Sequence, residues 1–160
     1  MKDADKDSVL RHTAHVAKHF IAYRGSLEKL VELIRYSIGT AAPAPDAIAH
    51  FLRCESTQKT LEQTYETAIW CSSDYTKSWR LICLSTTADP ATAARLLARK
   101  PPSSDCCAFC WQNEPGWRDK ILIPERDAYG EIIGGVYLHA PCSRPWRRLR
   151  DLVARSGEHA

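Results

Sequence analysis

The sequence predicts a mainly α-helical chain ending in a small metal-binding module made of a β-hairpin and a helix. Three observations carry this. Residues 1–100 show successive apolar stripes at helical spacing, the composition changes at PPSSD (101–105), and two Cys/His pairs flank a pair of strand-like segments beyond it. The expected organisation is a helical region over 1–100 and a zinc-binding module with a basic C-terminal helix over 101–160.

Asp7 or Ser8 is placed to cap a first helix, with Val9, Val16, Phe20 and Tyr23 on its apolar side. Gly25 interrupts it. Ser26 then caps LEKLVELIRYSIG, where Leu27, Leu30, Val31 and Ile34 form one stripe and Gly39 serves as the stop. AAPAP reads as a loop, because two prolines one residue apart cannot continue a helix. Asp46 caps a short helix, AIAHFLRC, and another starts near Gln58 with Leu61, Tyr65, Ala68 and Ile69 inward. WRLICL is ambiguous between helix end and strand, since its apolar run is too short to show a period. Asp89-Pro90 starts a further helix with proline at its first position.

After PPSSD the chain holds three of its five tryptophans and five of its seven glycines, as expected for a turn-rich module. KILIPERD and EIIGGVYLH, joined through Ala128-Tyr129-Gly130, read as antiparallel strands, with Pro124 placing the first at a sheet edge. A last helix runs from about Pro145 to Arg155.

A chain of 160 residues is one domain, or one domain with a small appended module. Its 26% charged and 44% hydrophobic residues suit a globular chain rather than a disordered one. No apolar run approaches the roughly 20 residues that cross a bilayer. MKDADKDSVLRH carries both signs of charge without an apolar stretch, so neither a secretory signal nor a membrane partner is expected. This points to a reducing, cytoplasmic setting, where seven cysteines are thiols or metal ligands rather than disulfides.

Cys107 and Cys110 enclose two residues, a spacing that lets one tight turn aim both sulfurs at one ion. His139 and Cys142 also enclose two, at the end of the second strand where a helix begins. Together they form a Cys₃His set suited to structural Zn²⁺, and soft thiolates with an imidazole favour zinc over calcium or magnesium. Cys106 leaves an alternative open, with a three-residue gap to Cys110; the two-residue gap is the commoner geometry. A redox role for CAFC would need a preceding βαβ pattern, which is absent. A ββα-metal nuclease would need His139 as its base, but His139 is already required as a ligand.

CAFC at 107–110, the hairpin and HAPC at 139–142 resemble the treble-clef zinc fingers, over about residues 104–156. The resemblance implies a knuckle, a hairpin and a helix whose first turn supplies the last two ligands. One departure is Trp111, which stands where such knuckles often carry glycine. Trp111, Trp117 and Trp146 are then most simply the module's small core, with stacking on a base or partner as the alternative.

Other residues invite chemistry. His15 and His19 are four apart, with His12 nearby, yet no third strong ligand or HExxH pattern accompanies them, so a solvated histidine face is expected. His50 with Cys54, and Cys71 with Cys83, suggest core thiols more than a second metal site. There is no Gly-rich phosphate loop and no nucleophile elbow, so the chain is expected to be non-enzymatic.

The net charge of +3 decides no partner, but Arg144, Arg147, Arg148, Arg150 and Arg155 crowd the end against only Asp151 and Glu158. Arginines on a zinc-ordered helix suit phosphates or guanine edges. The same helix also reads as a salt-bridged amphipathic one, with Asp151 four residues from Arg147 and Arg155. The expected function is therefore nucleic-acid binding, to DNA in transcription regulation, with Arg144, Arg147, Arg148 and Arg150 as contacts. The alternative is an adaptor that binds another protein, such as a component of the transcription machinery. The stripe at 26–38 can either pair with its copy in a homodimer or pack inside the monomer.

Overall fold

A computed structural model describes residues 1–20, 26–71, 73–103, 105–112 and 120–157, with side chains omitted at 71, 73–75, 156 and 157. The expectations for Tyr23, Gly25 and Trp117, and for the side chain of Cys71, lie outside these residues. The chain is mainly helical, as the sequence predicts, and divides into two compact units, Met1–Asp89 and Pro90–Ala160. No described helix is long and apolar enough to cross a membrane.

The first unit holds helices α1 (Asp3–Phe20), α2 (Leu27–Ile38), α3 (Pro45–Arg53), α4 (Glu55–Cys71) and α5 (Ser73–Thr86). α1 starts earlier than the Asp7/Ser8 cap, because Asp3 and Asp5 already place negative charge in its first turn. α2 follows the sequence reading closely. The Ser26 hydroxyl accepts from the Lys29 N–H at 3.4 Å, and Gly39 ends the helix at φ +97° with its N–H on the Arg35 carbonyl. α3 begins at Pro45 without a side-chain cap, so Asp46 sits in its first turn instead of capping it. Gln58 lies inside α4, where its Nε2 donates to the Leu52 carbonyl and the Thr86 hydroxyl, tying the end of α3 to α5.

WRLICL is helical, within α5. Leu81, Ile82, Cys83 and Leu84 are all buried in succession, so this helix meets neighbours on every side and shows no amphipathic period. Around it lie Val9, Val16 and Phe20 of α1, Leu30 and Ile34 of α2, Ile48 and Leu52 of α3, and Leu61 and Tyr65 of α4, all buried. The stripe of α2 is thus used inside the unit, against α1, α3 and α5.

The second unit holds α6 (Pro90–Ala98), strands β1 (Lys120–Arg126) and β2 (Ile132–His139), and α7 (Ala140–Gly157). The helix preceding PPSSD therefore belongs with the C-terminal unit, packed on α7. β1 and β2 pair antiparallel from Lys120↔His139 to Glu125↔Gly134, with a bulge between Glu125 and Arg126. Their turn is built by Asp127, whose Oδ1 accepts from the N–H groups of Tyr129 and Glu131 at 2.9 and 3.0 Å, while Gly130 supplies the positive φ of 82°. α7 starts at Ala140, five residues before the expected Pro145, which now lies inside the helix. A proline there forgoes one backbone bond, but the earlier start brings Cys142 into the first turn.

Candidate metal centre

Three local structures deliver the four candidate ligands. The first is a tight turn after Cys107, in which the Trp111 N–H donates to the Cys107 carbonyl at 2.8 Å and the Cys107 N–H to the Gln112 carbonyl at 3.0 Å. The second is the last residue of β2, His139, and the third is the first turn of α7, with Cys142. The turn is tied to the hairpin by the Ala108 N–H, which donates to the Tyr137 carbonyl at 2.8 Å. At the start of β1, the largely buried Lys120 ammonium donates to the Asp105 carbonyl and holds the approach to the turn.

Cys107, Cys110, His139 and Cys142 are each fully buried, and their donor atoms all lie within 4.8 Å of one another. A tetrahedral ion with Zn–S bonds of about 2.3 Å and a Zn–N bond of about 2.0–2.1 Å has edges of roughly 3.6–3.8 Å, so only a small contraction separates the two. The Cys110 Sγ to His139 Nδ1 distance, 3.4 Å, already matches such an edge. Cys106 is also buried but stands outside this group, so the Cys107 spacing is the one that assembles.

The electrostatics favour a cation. The Cys107 thiol is held far below the usual thiol range, first because the Cys110 and Cys142 side chains donate to its sulfur, with the backbone N–H groups of Cys110 and His139 adding to this against burial. Cys110 is pushed up to about 12, chiefly by donating to Cys107. Cys142 is driven up further by its hydrogen bonds to Cys107 and Cys110 and by burial. The opposed shifts of these thiols follow from one cause: a dry pocket cannot hold three thiolates without a counter-ion. A divalent cation bound by these residues would displace the thiol protons and supply that counter-charge. A tetrahedral ion would accept one lone pair from each of the four donors at once. His139 Nε2, buried, has no hydrogen-bond partner among the described residues. The Cys₃His cluster fits a metal ion, and its donor set and geometry can hold one structurally, with no open position for chemistry.

Trp111 explains the departure from glycine noted in the sequence. It adopts φ +60°, the left-handed conformation for which glycine is the usual residue, and it is 6% exposed. The strain costs about 1–2 kcal/mol, whereas removing a buried tryptophan costs about 3–5 kcal/mol. Burial wins, so Trp111→Gly is expected to lower stability despite easing the backbone. A chemical-denaturation midpoint followed through the remaining tryptophans checks this, and a rise in the midpoint would refute it.

The other candidates separate differently. His12 Nδ1 lies 2.6 Å from the Ser37 hydroxyl, linking α1 to α2, while His15 and His19 are exposed. Among the described residues, no metal-type group of three or more includes any of them. The Cys54 thiol donates to the His50 carbonyl at 3.4 Å, a bond across a single helical turn. Cys83 is a core thiol that donates to the Leu61 carbonyl, and burial first, then Glu62, pushes its pKa up. Trp146 is 7% exposed, with the Arg150 guanidinium 5.8 Å from its ring centroid.

Arg144, Arg147, Arg148 and Arg150 are all exposed, but they do not share one face. At 100° per residue, Arg144 and Arg148 lie opposite the buried Cys142, Trp146 and Leu149, whereas Arg147 and Arg150 border the hairpin side, where Arg150 pairs with Glu125 at 3.5 Å. Nothing in the sequence marks Glu125 and Arg126 as neighbours of this helix, since the hairpin register alone brings them there. No family model, curated protein or solved structure matches the chain.

Proposed function

We propose that the chain is a zinc-dependent, non-catalytic nucleic-acid-binding protein of the cytoplasm, acting on DNA in a regulatory role. In this reading the Cys₃His cluster holds Zn²⁺, and the knuckle, hairpin and helix form a treble-clef-like module. The supporting observation is α7 itself, where Arg144, Arg147 and Arg148 stand exposed on a helix whose first turn carries a candidate ligand. Guanidinium groups on a fixed helix suit bidentate contacts to phosphate oxygens or guanine edges. Arg150 contributes less, because Glu125 already faces it.

Fluorescence anisotropy with a labelled DNA duplex across a salt series tests this. Affinity is expected to fall steeply with salt, and Arg147→Ala with Arg148→Ala to flatten the log–log slope by about 2, one for each arginine removed from a phosphate. Unchanged affinity in the double variant, with metal content intact, sinks the reading. A second reading, an adaptor that binds another protein, is favoured by a different feature: a partly apolar groove between the hairpin and α7.

A further inference from the structure

A groove of about 500 Å³ runs between the β1–β2 hairpin and α7, all within the C-terminal unit. Its floor includes Ile123, Val136 and Leu138, and its walls carry the guanidinium groups of Arg126, Arg147 and Arg150. Among the described residues Glu125 is the one carboxylate lining it, and it is paired with Arg150 at 3.5 Å. Arg126 is steadied by donating to the Gly130 carbonyl at 2.8 Å. The groove thus joins an aliphatic floor to a surplus of fixed positive charge.

We infer that this groove docks a short acidic, aliphatic peptide segment of a partner protein; the inference rests on the adaptor reading and deepens it. Charge complementarity calls for Asp or Glu opposite Arg126 and Arg147, since Glu125 already faces Arg150, and the branched floor calls for Leu, Ile or Val side chains. Nucleic acid fits the groove less well. Bases need a flat stacking platform, and the one aromatic ring that lines the groove among the described residues, Trp146, is 7% exposed with the Arg150 guanidinium 5.8 Å from its centroid.

Gly134 provides a direct probe. It pairs with Glu125, so a side chain there shares the face of the groove, and a Cβ at Gly134 meets nothing within 4 Å. Gly134→Phe therefore adds a bulky ring on the groove's face at a position where its Cβ has room. Arg126→Glu, at an exposed side chain, reverses one wall charge. Neither residue belongs to the proposed nucleic-acid contacts or to the metal ligands.

The experiment selects a random heptapeptide phage library on the full-length, metal-loaded chain and measures the selected peptides by anisotropy. A single-stranded oligonucleotide is measured in parallel. Enrichment of Asp/Glu together with Leu/Ile/Val is expected, with affinity lowered about tenfold or more by both Gly134→Phe and Arg126→Glu at unchanged metal content. Should Gly134→Phe fail to fold, Arg126→Glu decides alone. Selection of neutral or basic peptides overturns the acidic assignment while leaving an adaptor; selection of none removes the adaptor reading as well. Oligonucleotide binding that Gly134→Phe abolishes would give the groove to nucleic acid and overturn the inference.

Discussion

Cys142→Ser is expected to release the metal and unfold the C-terminal unit while the helices of Met1–Asp89 persist. The serine hydroxyl does not ionise near neutral pH and is a poor match for a soft ion, so one of three thiolates is lost from a closed tetrahedral set. Structural zinc sites contribute apparent binding free energies of about 10–16 kcal/mol, which in small modules is folding free energy. Among its described residues the C-terminal unit has few other large buried side chains, chiefly Leu96, Phe109, Trp111, Leu138, Trp146 and Leu149. Loss of the ion therefore exceeds what its core can offset. Elemental analysis of wild type and variant, with far-UV circular dichroism during chelator titration, provides the check. About one zinc per wild-type chain, its absence in Cys142→Ser, and a partial loss of helical signal are expected. Zinc retained by the variant, or none bound by the wild type, refutes the assignment.

Phe20→Ala is expected to destabilise the helical unit by about 3–5 kcal/mol. Phe20 is fully buried at the end of α1, among the largest enclosed side chains of the chain. Truncation loses its transfer free energy and leaves a cavity that rigid helices close only in part. Against total stabilities of about 5–15 kcal/mol, such a loss is a large fraction of the whole. Urea denaturation followed at 222 nm reads the shift, with metal content expected to stay at the wild-type level because Cys107, Cys110, His139 and Cys142 all lie in the other unit. A change below about 1 kcal/mol would mean that Phe20 is not packed as a core residue.

The elements most legible in the sequence are those whose signals are local. Ser26 and Gly39 bound α2 because a cap and a positive φ are properties of a few neighbouring residues. Pro90 marks α6 for the same reason. The hairpin follows from two short apolar segments and a turn whose Asp127 and Gly130 make their own hydrogen bonds. WRLICL is not legible, because complete burial removes the very periodicity that reveals a helix. The start of α7 is hidden by Pro145, which looks like a first-turn residue, whereas Pro141 and Cys142 stand in that turn instead.

The Cys and His spacings nominate four ligands, because two-residue gaps constrain where thiols and imidazoles can point. Tertiary structure alone decides that these four donors converge in one buried pocket and that Cys106 stays outside it. It also decides that Trp111 accepts a strained backbone in exchange for burial. The register of β1 on β2 likewise carries Glu125 and Arg126 to α7, dividing its arginines between an outer face and a groove. Spacing along the chain thus determined which chemistry was available. Which groups meet was settled by packing between residues far apart in sequence, and this depends on a register that no single stretch encodes.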